Sequence, residues 1–471
     1  VVGRLLDGPV LRRWLVRAAQ ALEQAGPRID AVNVFPVADQ DTGTNCLLTL
    51  RGAVEEVAAL DPAADGPAVL AAATRGSLLA ARGNSGMILS HWFAGLARGA
   101  AEGVVPALAA AARSARSAVL APEDGTVLDL AAEVARAAGD ARRGEDGDAG
   151  GLPAGAAADE DREALASALA AGQDALAAIS GRHPVLRDAR VLDAGACALL
   201  VVLAAWVAAA DETLGAPGTL GAEGPDATGD LRLATALDLS WLPESAPAAL
   251  PERGMSGFEV MAVLPAGDDD ALRARLASIG DSVAVVAEPG DGPGRLRQSH
   301  VHTADPAAAV AVVQGAADPE PVLVVVEALD GRTSTAVAVT GSPERVPELA
   351  RCGAVVLVAG PGVPAGRWRP TLDRAVRDAR AGGAHRVPDA VHGGDAAPAH
   401  DPAPARDLAS APDPAPAHDP GPGADPVPVL PGAWAGECAA ALPPGATLIA
   451  EADDEDRVLA VVRALAGEVP A

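Results

Sequence analysis

Apolar positions recur at helical spacing through the first two hundred residues. Leu11, Leu15, Ala18 and Leu22 fall on one face of a helix that Asp7, Gly8 and Pro9 open and that Gly26-Pro27 is expected to close. Leu47, Leu50, Val54 and Val57 mark a second. Alanine- and leucine-rich runs at Pro67 to Arg82, Ser85 to Ala101, Val105 to Leu120, Leu128 to Ala138, Glu163 to Ser180 and Gly195 to Ala210 read the same way. From Gly139 to Asp161 glycine, alanine and acids replace the pattern, which predicts a flexible loop 139–161 within the bundle. Residues 1–212 therefore read as an all-helical domain with polar motifs in its loops, followed by a linker over 213–250.

The period then changes. Phe258 to Leu264 alternates partly like a strand, Asp269 to Ile279 reads as a helix and Ser282 to Ala287 as another strand, so 251–316 is expected to form a small α/β domain. Val322 to Val326, Thr335 to Val339 and Ala354 to Val358 are short β-rich runs, with a helix over Pro343 to Cys352. Ala446 to Ala450 and a helix over Asp456 to Ala466 continue this second α/β domain, assigned to 317–386 and 433–471. In the interruption, 387–432, Pro398-Ala399-His400-Asp401-Pro402 recurs as Pro416-Ala417-His418-Asp419-Pro420. A Pro/Ala/Asp/His-rich stretch cannot bury a core, and disorder is expected there.

Composition narrows the function. The chain has 471 residues, 49% of them hydrophobic, enough for several cores. Thirty-six basic against 63 acidic residues give a formal charge of −27, which repels nucleic acid and anionic membrane surfaces. Charges or helix breakers are expected to interrupt every long apolar stretch, and Val1 to Pro9 has no signal-peptide core, so no membrane span and a cytoplasmic location are expected. Cys46, Cys197, Cys352 and Cys438 are far apart and form no C-x-x-C pair, as single reduced thiols would be. Every basic residue is arginine. Without lysine, triphosphate charge would have to be met by metal ions, backbone N–H groups and arginine.

Three polar, glycine-bearing breaks interrupt the helical runs. Ile29 to Asn45 packs three acids, two threonines and two asparagines around Pro36. Asp39 and Asp41, two apart in an extended loop, can aim at one cation, and Thr42 to Asn45 offer hydroxyls and backbone N–H groups at a helix start. An Asx-rich cap is the competing reading. The other breaks are Arg82-Gly83-Asn84-Ser85-Gly86 and Asp193-Ala194-Gly195-Ala196, for which a polar helix break and helix capping compete. Farther on, His300 and His302 stand at i and i+2 and face one way on a strand, as a zinc pair or as hydrogen-bonding partners.

These breaks carry a resemblance to the DhaL (dihydroxyacetone kinase L-subunit) domain family, and in particular to the kinase component of bacterial fatty acid kinase. The family pattern N-V-F-P-V-P-D-G-D-T-G-T-N is answered by Asn33 to Asn45, and G-A-R-G-N-S-G-V-I-L-S by Ala81 to Ser90. G-T-I-L is answered by Gly125-Thr126-Val127-Leu128, and V-D-A-G-G by Leu192 to Ala196. The resemblance implies an antiparallel helical barrel with ATP bound across one end. It implies that Asp39 and Asp41 hold Mg2+ with Asn33 as a further candidate ligand, and that Thr42, Gly43, Thr44 and Asn45 contact phosphate or nucleotide. Ser85 and Gly86 would line the site, Gly125 and Thr126 support it, and Asp193, Ala194 and Gly195 border the base or ribose. Asp39-Gln40-Asp41 replaces D-G-D; because relatives tolerate alanine in the middle, no glycine-only backbone is expected at Gln40. The H-x-H-T-x-D-P segment also matches, but Gly254-Met255-Ser256 lacks the cysteine that joins the histidines in some relatives.

What the resemblance implies about the acceptor is a fatty-acid carboxylate presented by a DegV-type binding protein and converted to acyl-phosphate. The chain would then lack a lipid cavity of its own and dock that partner through its C-terminal domain. Phosphorylation of dihydroxyacetone or a similar polyol, and a nucleotide-binding scaffold without turnover, stay open, as does a homodimer.

Overall fold

The computed structural model describes residues 5–35, 40–145, 154–214, 237–243, 257–288, 295–318, 322–329 and 336–359, residues 372, 375 and 376, and the strand segments 427–431 and 446–448. The helical region comprises α1 (Gly8–Asp30), α2 (Thr42–Ala58), α3 (Gly66–Ala80), α4 (Gly83–Gly99), α5 (Val104–Ser117), α6 (Val127–Glu145), α7 (Ala154–Ser180), the short α8 (Pro184–Ala189) and α9 (Ala194–Leu214). The long helices pack in sequence order and α9 returns to α1, so they close on themselves. The closure is aromatic. Trp14 of α1 stacks on Trp206 of α9 at 4.4 Å and donates its indole N–H to the Val202 carbonyl at 2.9 Å. Trp206 in turn donates to the Leu5 carbonyl. Burying these rings with their N–H groups satisfied combines a large apolar gain with fixed geometry.

Several boundaries differ from the sequence expectation. Gly26-Pro27 does not end α1, because Ile29 and Asp30 are buried and Arg28 donates to the carbonyls of Leu242 and Pro243. Tertiary anchoring outweighs the backbone bond that a mid-helix proline removes. The same contacts pin 237–243, part of the expected linker, on the helical region, with Leu242 buried. Most of the expected flexible loop is helical: α6 runs to Glu145 and α7 starts at Ala154, tied by Arg142 to Glu160 and Asp161. The expectation that charges break every long apolar stretch also fails at α9. Ala194–Glu212 is 19 residues with mean hydropathy 2.0, long and apolar enough to cross a membrane, and most of it is buried in the helical core.

The remaining elements are β1 (Phe258–Pro265), α10 (Asp269–Ala277), β2 (Asp281–Ala287), β3 (Leu296–Thr303), α11 (Pro306–Ala317), β4 (Leu323–Ala328), β5 (Ala336–Thr340), α12 (Val346–Arg351), β6 (Ala354–Ala359), β7 (Val427–Pro431) and β8 (Ala446–Leu448). The two α/β domains expected from the sequence share one eight-stranded mixed sheet, ordered β2-β3-β1-β4-β6-β5-β7-β8. The joint is the antiparallel pairing of β1 with β4 and of β4 with β6. β7 lies inside the segment expected to be disordered and pairs in parallel with β5; the rest of 387–432 and the helix expected over Asp456 to Ala466 lie outside the described residues.

Strand alternation sorts this sheet into two faces. Phe258, Val260, Ala262 and Leu264 of β1 join Val301 and the helices α10, α11 and α12 in one apolar core. On the other face, Ala284 and Val286 of β2 pack on Leu78, Ala81 and Met87 of the helical region. Gln298 donates to the Ala81 carbonyl at 3.2 Å, and Arg75 pairs with Glu288. The sheet therefore leans on the α3–α4 junction, where the Arg82 to Gly86 break lies.

Candidate functional site

A cavity of about 520 Å³ opens where the three sequence breaks meet, and Thr42, Asn84, Ser85, Thr126, Asp193 and Gly195 belong to its lining. Its inner wall is apolar, with Ile88, Leu89, Trp92, Leu128 and Leu199. Thr42 begins α2 and Ser85 lies in the first turn of α4; their hydroxyl oxygens are 3.3 Å apart. Segments forty residues apart thus place two helix N-termini, with their partial positive charge, at one point.

The head of α2 is capped by an aspartate of the Ile29 to Asn45 run, as the competing reading had it, but from the far end of the run. Asp41 is the N-cap residue, but its carboxylate accepts no capping bond. Asp30, at the end of α1, does that work: its Oδ1 accepts from the N–H groups of Gly43 (2.5 Å) and Thr44 (3.2 Å), and its Oδ2 from the Thr44 hydroxyl (2.8 Å). The Asn45 N–H donates to the Asp41 carbonyl. The backbone donors of Gly43, Thr44 and Asn45, expected to be open to phosphate, are therefore engaged inside the protein. Gly43 is needed for packing, since a Cβ there would lie 2.7 Å from the Gly26 carbonyl oxygen. Gly86 has a similar role: a Cβ would lie 2.4 Å from the Thr49 hydroxyl, and the residue does not line the cavity.

Gln40 adopts φ +58°, in the left-handed region. That region is open to non-glycine residues, so the backbone here is not one that glycine alone can adopt, in keeping with the expectation. Asn33 is buried beside this loop's start, and Asp39 lies outside the described residues. Gly125 takes φ +86°, gives its N–H to Asp129 and packs on the His183 backbone, so it shapes the turn that presents Thr126.

Asp193 caps α9 through the Ala196 N–H at 2.7 Å while it lines the cavity. Burial pushes its carboxyl up to about 6, against the opposing pull of the Ala196 and Val127 N–H groups and His183. Cys46, also in the lining, has its thiol pushed well above the ordinary range, first by burial and then by Asp30, Asp41 and Asp193. Three carboxylates from three elements thus act on one buried point, an environment that favours a cation and keeps the thiol unreactive.

Sequence reasoning missed Asp30, Glu123, Phe35 and His183. Glu123 and Phe35 line the cavity, and His183 joins them through a 2.9 Å contact of Nε2 with Glu123 and a ring packing 4.0 Å from Phe35. Asp30 stood in the acid-rich run, but nothing local signals that it reaches forward to the next helix.

His300 and His302 do face one way, toward Glu259 of β1. Glu259 Oε1 is 2.7 Å from His300 Nε2 and 3.9 Å from His302 Nε2. Burial alone would raise the Glu259 carboxyl, but the hydrogen bond and charge of His300, reinforced by His302, hold it well below the usual carboxylate range. Two donors sharing a tetrahedral zinc ion sit about 3.3 Å apart. The 2.7 Å spacing is that of a hydrogen bond, so the arrangement fits paired side chains better than a zinc ligand set. The cluster touches the cavity loops: a Cβ on Gly83, at φ +52°, would lie 2.9 Å from Asn45 Nδ2 and 3.7 Å from Glu259 Oε1.

Residues 36–208 match the DAK2 domain, and residues 255–329 match the middle domain of the FakA-like fatty acid kinase family. The second match extends through β4, beyond the boundary expected at 316. Protein YloV of Bacillus subtilis is 33% identical over 215 residues, covering 44% of this chain and 36% of that protein. An uncharacterized protein of Staphylococcus saprophyticus is 30% identical over 214 residues, covering 43% and 36% respectively. The chain thus matches about a third of the length of these relatives. The cavity loops fall inside the DAK2 match and the Glu259 cluster inside the other, so the chain carries a DAK2 domain joined to a FakA-like middle domain.

Proposed function

We propose that the protein is an ATP-dependent phosphotransferase whose acceptor is the carboxylate of a fatty acid delivered on a DegV-type binding protein, giving an acyl-phosphate. The observation that carries this reading is the meeting of Thr42, Ser85, Thr126 and Asp193, from four separate elements, around one cavity with an apolar inner wall. The apolar wall suits a purine ring, and the Thr42, Ser85 and Thr126 hydroxyls with the N-terminus of α4 suit its phosphates, the first donors of α2 being taken by Asp30. Asp39 and Asp41 would hold Mg2+ with Asn33 beside them; the carboxylate field sensed at Cys46 is what such an ion relieves. When bound, the ion neutralises phosphate charge that arginine and lysine meet in other kinases. Asp30 keeps the head of α2 fixed, and Thr42 and Ser85 present hydroxyl groups to the ligand. Asp193 anchors the start of α9 in the same lining.

The test combines the full chain, MgATP, a DegV-type protein and oleate. Acyl-phosphate formed with the partner and absent without it supports the proposal. Product with dihydroxyacetone alone replaces it with a small-molecule kinase, and nucleotide binding with neither product replaces it with a scaffold. Asp39→Ala with Asp41→Ala is expected to lower turnover by about a hundredfold or more, as loss of metal-held charge stabilisation does, while leaving the helical fold intact.

A further inference from the structure

Gly280, Asp281, Ser282 and Val283, at the turn from α10 into β2, also line the cavity, although they belong to the sheet region. Three features show that this turn is held in a specific shape. The pairing of β2 with β3 shifts register between Asp281 and Ala284, a bulge that bends the strand end. Ser282 adopts φ +52°, which a non-glycine residue keeps only when its surroundings require it. Its carbonyl oxygen lies 2.9 Å from Nδ1 of His300, which is fully buried.

Both neighbours of His300 are acceptors: the Ser282 carbonyl at Nδ1 and the Glu259 carboxylate at Nε2. An imidazole with hydrogen on both nitrogens satisfies them together. We infer that the 280–283 turn is a wall of the nucleotide cavity contributed by the middle domain, and that His300, clamped by Glu259, is the positioning residue that holds it there. Gly280 lets the turn pass close to β3, since a Cβ there would lie 2.1 Å from the His302 carbonyl oxygen. Glu259 also borders Gly83 and therefore links the position of this wall to the loop that carries Ser85. The middle domain then completes the binding site instead of acting only as a spacer.

This inference rests on the nucleotide reading, and hydrogen exchange on the full chain separates the two. With MgADP, amides over 42–50 and 83–90 and also over 280–286 are expected to gain protection. Protection of the first two segments without the third overturns the inference and leaves the nucleotide reading standing; protection in none of them overturns both. His300→Phe removes the clamp at similar volume and is expected to weaken MgADP binding about fivefold, the scale of one lost hydrogen bond, and to abolish protection over 280–286 while keeping it over 42–50. Unchanged affinity and exchange in that variant would overturn the positioning role. The wild-type exchange pattern decides the question even where His300→Phe fails to fold.

Discussion

Asp193→Asn is a test of the electrostatics at the cavity. The wild-type carboxyl accepts a hydrogen bond from Ala196 at 2.7 Å, is buried, and titrates near 6 in place of an ordinary 3.8. A folded-state pKa above the unfolded one means that the native protein binds more protons between the two values. Stability is then greatest below about 4, falls as pH rises toward 6, and stays lower above it. At 1.36 kcal/mol per tenfold in proton affinity, holding this group ionised costs about 3 kcal/mol at pH 8. Asparagine keeps the capping oxygen and loses the charge, but its amide hydrogens face the Val127 N–H, which returns about 1 kcal/mol. The variant is therefore expected to be about 2 kcal/mol more stable than wild type at pH 8 and no more stable at pH 4. Urea unfolding followed by tryptophan fluorescence reads this domain, because Trp14, Trp92 and Trp206 sit in its core. A variant less stable than wild type at pH 8, or a difference independent of pH, would refute the reasoning.

Two further outcomes follow from buried groups. Gly76→Ala places a Cβ 2.1 Å from the Gly52 carbonyl oxygen, so α2 and α3 must separate; a loss of about 2 kcal/mol in the same assay is expected, with weaker MgADP binding because α2 carries Thr42. His91 is buried neutral, with burial the main cause lowering it to about 3, so its contribution is present above about 6.5 and is lost as pH falls toward 3. In acid titration, His91→Leu is expected to flatten the loss between about pH 6.5 and 4, and an unchanged slope would count against this origin.

The helices were legible because apolar spacing such as Leu11, Leu15, Ala18 and Leu22 reports directly on a buried stripe, and the strands because runs such as Val322 to Val326 have few other uses. What sequence could not supply was partnership at long range. Pro27 lies within α1 because of a segment more than two hundred residues away, and the shared sheet depends on β1 pairing with β4. β7 is strand through its pairing with β5 and β8, in a stretch whose composition argues for none. At the site, the breaks at Thr42, Ser85 and Asp193 were visible as glycine-bearing interruptions, and the fold brings them around one cavity. Asp30 and the 280–283 wall were not, since each acts across space on another element.

The stacking of Trp14 on Trp206 bears on how the protein is made. α1 leaves the ribosome well ahead of its principal partner, which is synthesised about two hundred residues later. Until then α2 can cover part of α1, but the face that carries Trp14 lacks its α9 partner, and closure must await nearly the whole helical region. A nascent chain stalled before α9 would expose that face to holdase chaperones or to other unfinished copies of itself.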